Sequence, residues 1–222
     1  KASIQEKVGS FIGHTEFLQG NFEGESLMLM VSELMRIAFV TGHVPLTDVK
    51  KHITADNIIK KTQLLNTSLI QDFGIRKPKI AILGLNPHAG EEGLLGAEEN
   101  ETITPTVKKL KEEGIMAFGP YPADSFFISN NLKKFDGILS MYHDQGLTAF
   151  KTLSFDEGIN FTAGLNVVRT SPVHGTAYDV SGKGNANEKS FREAVFLACE
   201  IYKKRAEFKL LNENPLEFKS KK

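Results

Sequence analysis

Ser140-Met141-Tyr142-His143-Asp144-Gln145-Gly146-Leu147 follows a strand-like run from Phe135 to Leu139. It sets an imidazole, a carboxylate, an amide and a glycine side by side. A strand that ends in a polar, glycine-containing turn is where α/β proteins place their chemistry. The same residues also read as a plain helix start, with Asp144 as N-cap and His143 merely beside it.

The pattern recurs upstream. Lys79 to Leu85 is a short, nearly all-apolar run, as expected of a strand buried on both faces, and it empties into Asn86-Pro87-His88-Ala89-Gly90-Glu91-Glu92-Gly93. Glu25 to Val31 and Leu34 to Thr41 read as a hairpin turning tightly at Ser32-Glu33. Thr54-Ala55-Asp56 opens a helix whose apolar positions run to Phe73 and stop at Gly74. Helices are expected from Ile103 to Glu113, from Ala123 to Leu132, and from Glu188 to about Phe208. The last should bury Phe191, Val195, Ala198 and Ile201. Further strands are expected at Gly137 to Met141, Ile159 to Thr162 and Val167 to Thr170. Strands alternating with helices, plus an early hairpin, predict an α/β fold with a mixed, partly parallel sheet.

Composition narrows the function. Lys+Arg and Asp+Glu are both 27 in 222 residues, so charge balance lends no support to a nucleic-acid or acidic-membrane partner. The single cysteine, Cys199, excludes an intrachain disulfide and reads as a buried small apolar residue. No apolar run approaches a membrane span and no signal peptide is visible, so a soluble cytoplasmic protein is expected. The chain opens on Lys1 in what reads as mid-domain sequence, and an upstream portion is expected.

Three histidines, His14, His88 and His143, stand 74 and 55 residues apart, unlike the clustered ligands of a zinc finger. Such separations suit a catalytic metal site with an open position, or three unrelated surface or capping histidines. Lys151, Asn160 and Arg169 form a second group, the first two in or beside strand-like segments, with basic types suited to phosphate or carboxylate. Asp124 reads as an N-cap or as a residue orienting a ligand. His174 to Asn187 contains glycine turns that could meet a phosphate or an adenine edge, but it lacks the Rossmann fingerprint.

Five blocks carry a resemblance. Gly13-His14-Thr15-Glu16-Phe17, Gly84 to Glu91, Gly119-Pro120-Tyr121-Pro122-Ala123-Asp124, Met141 to Leu147, and Arg169-Thr170-Ser171 resemble the 4-hydroxythreonine-4-phosphate dehydrogenase family, in the family's order. The likeness runs from about Lys1 to Phe191 and implies that a substantial N-terminal part, with two further substrate contacts, lies upstream. It implies divalent-metal ligands (Zn, Mg or Co) at His14, His88 and His143, and substrate contacts at Lys151, Asn160 and Arg169. Catalytic roles would fall to Lys151 and Asp124. The fold implied is similar to isocitrate and isopropylmalate dehydrogenases: an α/β/α architecture with residues 20–160 as a central subdomain and 161–222 returning to one begun upstream. NAD (or NADP) would bind in a non-Rossmann manner near His174, Gly175, Thr176, Asp179 and Asn187. A homodimer with the active site at the interface is also implied.

The reaction implied is oxidation of 4-phosphohydroxy-L-threonine to a β-keto acid that loses CO2, in pyridoxal 5'-phosphate biosynthesis. Sister enzymes acting on a phosphorylated threonate or erythronate, or on a dihydrodiol dicarboxylate, fit the same residues. So does a non-catalytic metal-binding fragment. The chain departs from the family pattern at Glu92, where glycine is usual, and at Thr148, where proline is common.

Overall fold

The computed structural model describes residues 14–154, 157–173, 182–184 and 187–214, with only the backbone of residues 14–16 and 129. Helix α1 (His14–Asn21) leads into strands β1 (Gly24–Val31) and β2 (Arg36–Phe39), then α2 (Leu46–His52) and α3 (Ala55–Gln71). Next come β3 (Lys79–Leu83), a π turn (Glu99–Ile103) running into α4 (Thr104–Glu112), and β4 (Met116–Tyr121). Two single turns, α5 (Ala123–Phe126) and α6 (Ser129–Leu132), precede β5 (Gly137–Ser140) and α7 (His143–Ser154). The chain then forms β6 (Ile159–Leu165), β7 (Thr170–Pro172) and α8 (Lys189–Asn212).

The seven strands form one sheet in the order β4-β3-β5-β2-β1-β6-β7. Strands β4, β3, β5 and β2 run parallel. The β1–β2, β1–β6 and β6–β7 pairs are antiparallel. The predicted mixed sheet is therefore present.

Strand alternation assigns the two faces. Leu27, Leu29, Ile80, Ile82 and Phe161 point toward α3, α4 and α8, packing on Ile58, Leu65, Leu69, Val107, Leu110 and Ile201. Met30, Ile37, Phe39, Ala81 and Ile138 point the other way, toward Phe126 of α5 and Phe150 of α7. Each fully buried side chain of this size contributes roughly 1.5–3 kcal/mol. Helix α3 starts as its sequence dictates: the Thr54 hydroxyl accepts the Asn57 N–H at 3.3 Å, and the buried positions Ile58, Thr62, Leu65 and Leu69 share one stripe.

Several expectations are corrected. Val31 pairs with Arg36, so the hairpin turns over Ser32 to Met35, closed by Ser32 N–H donating to the Met35 carbonyl at 3.0 Å. It does not turn at Ser32-Glu33 alone. Strand β4 was not anticipated, because Gly119-Pro120 reads as a turn; at the sheet edge proline's missing donor is tolerated. Helix α2 was not anticipated either. The helix expected over Ala123 to Leu132 is two separate turns. The last strand is Thr170–Pro172, not Val167 to Thr170.

Helix α8 buries Ser190, Ala194, Leu197 and Ile201, while Phe191 and Val195 are exposed. Small residues let the helix approach β7 closely, where the Thr170 hydroxyl donates to the Ala194 carbonyl at 2.8 Å. This turns the helix about one residue away from the expected stripe. Cys199 is consequently exposed rather than buried. Among the described residues no helix is long and apolar enough to cross a membrane.

Candidate active site at the ends of the parallel strands

The parallel strands β2, β3, β4 and β5 all end at one edge of the sheet, the edge where open α/β sheets hold ligands. His88 follows β3, Asp124 follows β4 and His143 follows β5. His143 is the first residue of α7 and Asp144 lies inside its first turn, so Asp144 does not act as the N-cap. Asp124 is likewise inside α5, whose N-cap is Pro122.

Each of these histidines has a carboxylate beside its Nδ1. His143 Nδ1 is 2.8 Å from Asp144 Oδ1, and His88 Nδ1 is 3.9 Å from Asp124 Oδ2. The first distance is a hydrogen bond and the second a looser ion-pair separation. The Asp144 hydrogen bond can hold the His143 imidazole with its Nε2 turned outward, the donor chemistry expected of a metal-ligating histidine, whereas Asp124 stands near His88 without bonding it. These residues fit a divalent ion in that respect. Among the described residues, no group of three His, Cys, Asp or Glu side chains converges closely enough to hold one. The His14 side chain lies outside the described residues, although its backbone opens α1.

The His143 ring stacks on Phe39 at 5.7 Å between centroids and meets the ring of His43 at 5.5 Å. His43 was missed in the sequence. It stands in Thr41-Gly42-His43 beyond β2, a histidine just past a strand end like His88 and His143. Beside it lies a cleft of about 220 Å³ lined by Gln19, Ser26, Met28, Phe39 and Gly42.

The His88 loop has an unusual backbone. His88, Ala89, Glu91 and Glu92 have φ of 53°, 52°, 41° and 56°, with Gly90 between them at 81°. Left-handed geometry costs a residue with a Cβ on the order of 1–2 kcal/mol. Glu92 replaces a usual family glycine within this left-handed run. The loop is gripped at its base. Glu99, 2% exposed, accepts the backbone N–H groups of Leu85 and Asn86 at 2.7 and 2.8 Å and the Asn86 side-chain amide at 2.9 Å. Glu98 takes a second Asn86 hydrogen at 2.8 Å and pairs with Lys50 at 2.5 Å. The Lys50 hydrogen bond, with help from a backbone N–H and Asn86, pulls the Glu98 pKa down to about 2. Gln145 spans the two histidine loops, accepting the Met141 N–H at 2.8 Å and donating to the Gly84 carbonyl at 2.7 Å.

The second group lies along the sheet. Lys151 is on α7, not in or beside a strand, and is half-buried. Asn160 continues a register row through Met30, Ile37 and Ile138, so its side chain lies on the face that α7 covers. Its Oδ1 is buried and has no hydrogen-bond partner among the described residues. Arg169 donates to Thr162 Oγ1 at 3.3 Å, two residues along the same face, and burial lowers its pKa from the ordinary arginine value. Three strand spacings, roughly 14 Å, separate the Asn160 column from the β5 column at whose end His143 stands.

Of the expected cofactor residues, His174, Gly175, Thr176 and Asp179 lie outside the described residues. Asn187 Oδ1 accepts the Lys189 N–H at 2.9 Å, one residue outside Glu188, the N-cap of α8.

Residues 1–198 match the family model described as "Pyridoxal phosphate biosynthetic protein PdxA". The chain belongs to this family. A relative from Bacteroides thetaiotaomicron named 4-hydroxythreonine-4-phosphate dehydrogenase is 50% identical over 219 residues, 97% of this chain and 60% of its own length. One of the same name from Pseudoalteromonas translucida is 47% identical over 203 residues, 89% of this chain and 62% of its own. The crystal structure of the Klebsiella pneumoniae enzyme of that name superposes with a TM-score of 0.78 at 33% identity, covering 90% of this chain and 61% of that one. A terephthalate 1,2-cis-dihydrodiol dehydrogenase from Burkholderia xenovorans superposes at 0.67 with 26% identity, covering 85% and 60%. The chain thus spans about three-fifths of the length of the relatives it matches.

Proposed function

We propose that this chain is part of an NAD-dependent, divalent-metal-dependent dehydrogenase that oxidises 4-phosphohydroxy-L-threonine to a β-keto acid. That acid loses CO2 to give 3-amino-2-oxopropyl phosphate, a step toward pyridoxal 5'-phosphate. The observation that carries this reading is the pair of histidines at the ends of β3 and β5, each with an aspartate near its Nδ1, in a chain 50% identical to a relative named for this activity.

When bound, a divalent ion (Zn, Mg or Co) supplies Lewis-acid polarisation of the substrate's C3 hydroxyl, and NAD accepts the hydride. His88 and His143 are the described residues that would hold the ion, with His14 as the third ligand. Asp144 keeps the His143 imidazole aimed, and Asp124 stands near His88. Arg169 and Lys151 grip phosphate or carboxylate, Arg169 from a desolvated position that strengthens the contact. The unsatisfied Asn160 Oδ1 accepts a substrate hydroxyl or ammonium hydrogen. A water, or a desolvated, neutral Lys151 that is not gripping an anion, takes the hydroxyl proton as hydride leaves.

The architecture proposed is that of the isocitrate and isopropylmalate dehydrogenases, with non-Rossmann NAD binding near His174 to Asn187. Residues 20–160 form a central subdomain and 161–222 return to another. A homodimer sharing its active site across the interface accounts for the roughly 14 Å between the Asn160 and β5 columns, since a second copy can bring complementary residues to each half-site. A cytoplasmic location is proposed for the assembly.

The test is NADH formation by the full-length protein with 4-phosphohydroxy-L-threonine and a divalent metal. Metal-dependent turnover supports the reading. Turnover only with an unphosphorylated dihydrodiol dicarboxylate replaces it with the activity named for the Burkholderia neighbour.

A further inference from the structure

We propose that Glu99 is the positioning residue that presents His88 to the site, by holding the left-handed loop from beneath. The proposal rests on reading His88 as a metal ligand. His88 itself cannot hold the loop in place, because its side chain is 64% exposed. Nor can the loop's intrinsic preference, since His88, Ala89, Glu91 and Glu92 all sit at positive φ. An outside restraint must select this conformation.

Glu99 has the right geometry for that task. Its Oε1 collects the N–H groups of Leu85 and Asn86, three and two residues before the left-handed run begins at His88, and Oε2 collects the Asn86 amide. The loop is cut to fit it. A Cβ on Gly90 would lie 2.7 Å from Glu99 Oε2, and one on Gly84 would lie 3.1 Å from Oε1. Gly96 makes room for the Asn86 side chain in the same way, at 2.3 Å. The carboxylate therefore sits where a side chain at Gly90 or Gly84 would crowd it, with each oxygen accepting a hydrogen from the loop. Gln145 fixes the carbonyl of Gly84 to the start of α7, so the loop that Glu99 shapes is also set relative to His143.

Glu99→Gln tests this in the full-length protein. The amide keeps the size but turns one acceptor into a donor that faces another donor. Titration calorimetry should show Zn²⁺ binding weakened roughly 10- to 100-fold, the range for lost support of a metal ligand. The Leu85 and Asn86 amides should exchange with deuterium faster. At saturating Co²⁺ the visible spectrum should match that of the unmodified protein, because His88 is still present, whereas His88→Ala should alter it. Unchanged Zn²⁺ affinity in folded Glu99→Gln overturns the proposal. If that variant fails to fold, Asn86→Ala removes one of the same bonds, and unchanged affinity there overturns it equally. If His88→Ala binds Zn²⁺ as tightly as the unmodified protein, the ligand reading fails instead. The hold of Glu99 on the loop is then judged by amide exchange, which if unchanged overturns that as well.

Discussion

His88 and His143, the proposed metal ligands, are single side chains at strand ends, and the first prediction concerns them. His88→Ala should lose metal uptake and turnover together, measured as bound metal per chain and NADH formed; normal metal content in that variant contradicts the assignment. Arg169→Ala removes a half-buried charge-assisted contact worth about 1.5–3 kcal/mol, so kcat/KM should drop roughly 10- to 100-fold. The third prediction is one of pH. Glu98 has a folded pKa of about 2, below the ordinary glutamate value near 4.3, so its contribution is complete above the unfolded value. It is lost as pH falls toward 2. The gap in thermal midpoint between the unmodified protein and Glu98→Gln should therefore be constant near neutrality and close between pH 4 and 2. A gap that persists at pH 2 contradicts the pairing with Lys50. At this scale the histidines were legible because each follows an apolar run and stands beside small or polar neighbours. Glu99 was not, and Gln145 was visible only as an amide beside His143. The bonds of Glu99 to Leu85 and Asn86 span 14 and 13 residues and that of Gln145 to Gly84 spans 61, and no local pattern announces a side chain that bonds at such a distance.

Helix α7 seats on the sheet at Gly146, where an added Cβ would meet Ile37 Cδ1 at 2.6 Å and Ser140 Oγ at 2.8 Å. Gly146→Ala should destabilise the fold by about 1–3 kcal/mol through overpacking, read from denaturant unfolding. A neutral outcome would mean that α7 can ride up from β2, and the His143 placement would then be soft. Buried parallel strands such as β3 were plain in the sequence because both faces demand apolar residues. Strand β4 was hidden by Gly119-Pro120, and the buried stripe of α8 by apolar residues on several sides of that helix. There, close approach to β7 selected Ser190 and Ala194 over Phe191 and Val195, and a helical period alone cannot weigh closeness of packing.

The whole molecule is tied together by Arg205. From α8 its Nε donates to Asp72 at the end of α3 at 2.6 Å, and its Nη1 donates to the carbonyls of Leu165 and Val167 at 2.9 and 3.2 Å. One side chain thus joins two helices to the turn that leads from β6 to Arg169. Asp72 is buried, so Arg205→Ala leaves its carboxylate without a counter-charge, retaining the Ser68 hydroxyl bond at 2.7 Å, and should cost about 3–5 kcal/mol in unfolding free energy. A loss below about 1 kcal/mol, the scale of a surface ion pair, would contradict a buried clamp. Alternation of strand and helix revealed the α/β class, but the strand order, in which an antiparallel pair extends a parallel set, follows from tertiary packing. The activity proposed for the full-length protein is metal-dependent dehydrogenation of a phosphorylated hydroxy amino acid. The most direct measurement is NADH formation by the full-length protein from 4-phosphohydroxy-L-threonine, with and without a chelator. Turnover that the chelator abolishes and added metal restores is the result predicted. Absence of turnover from metal-loaded protein, with NAD bound, would contradict the claim.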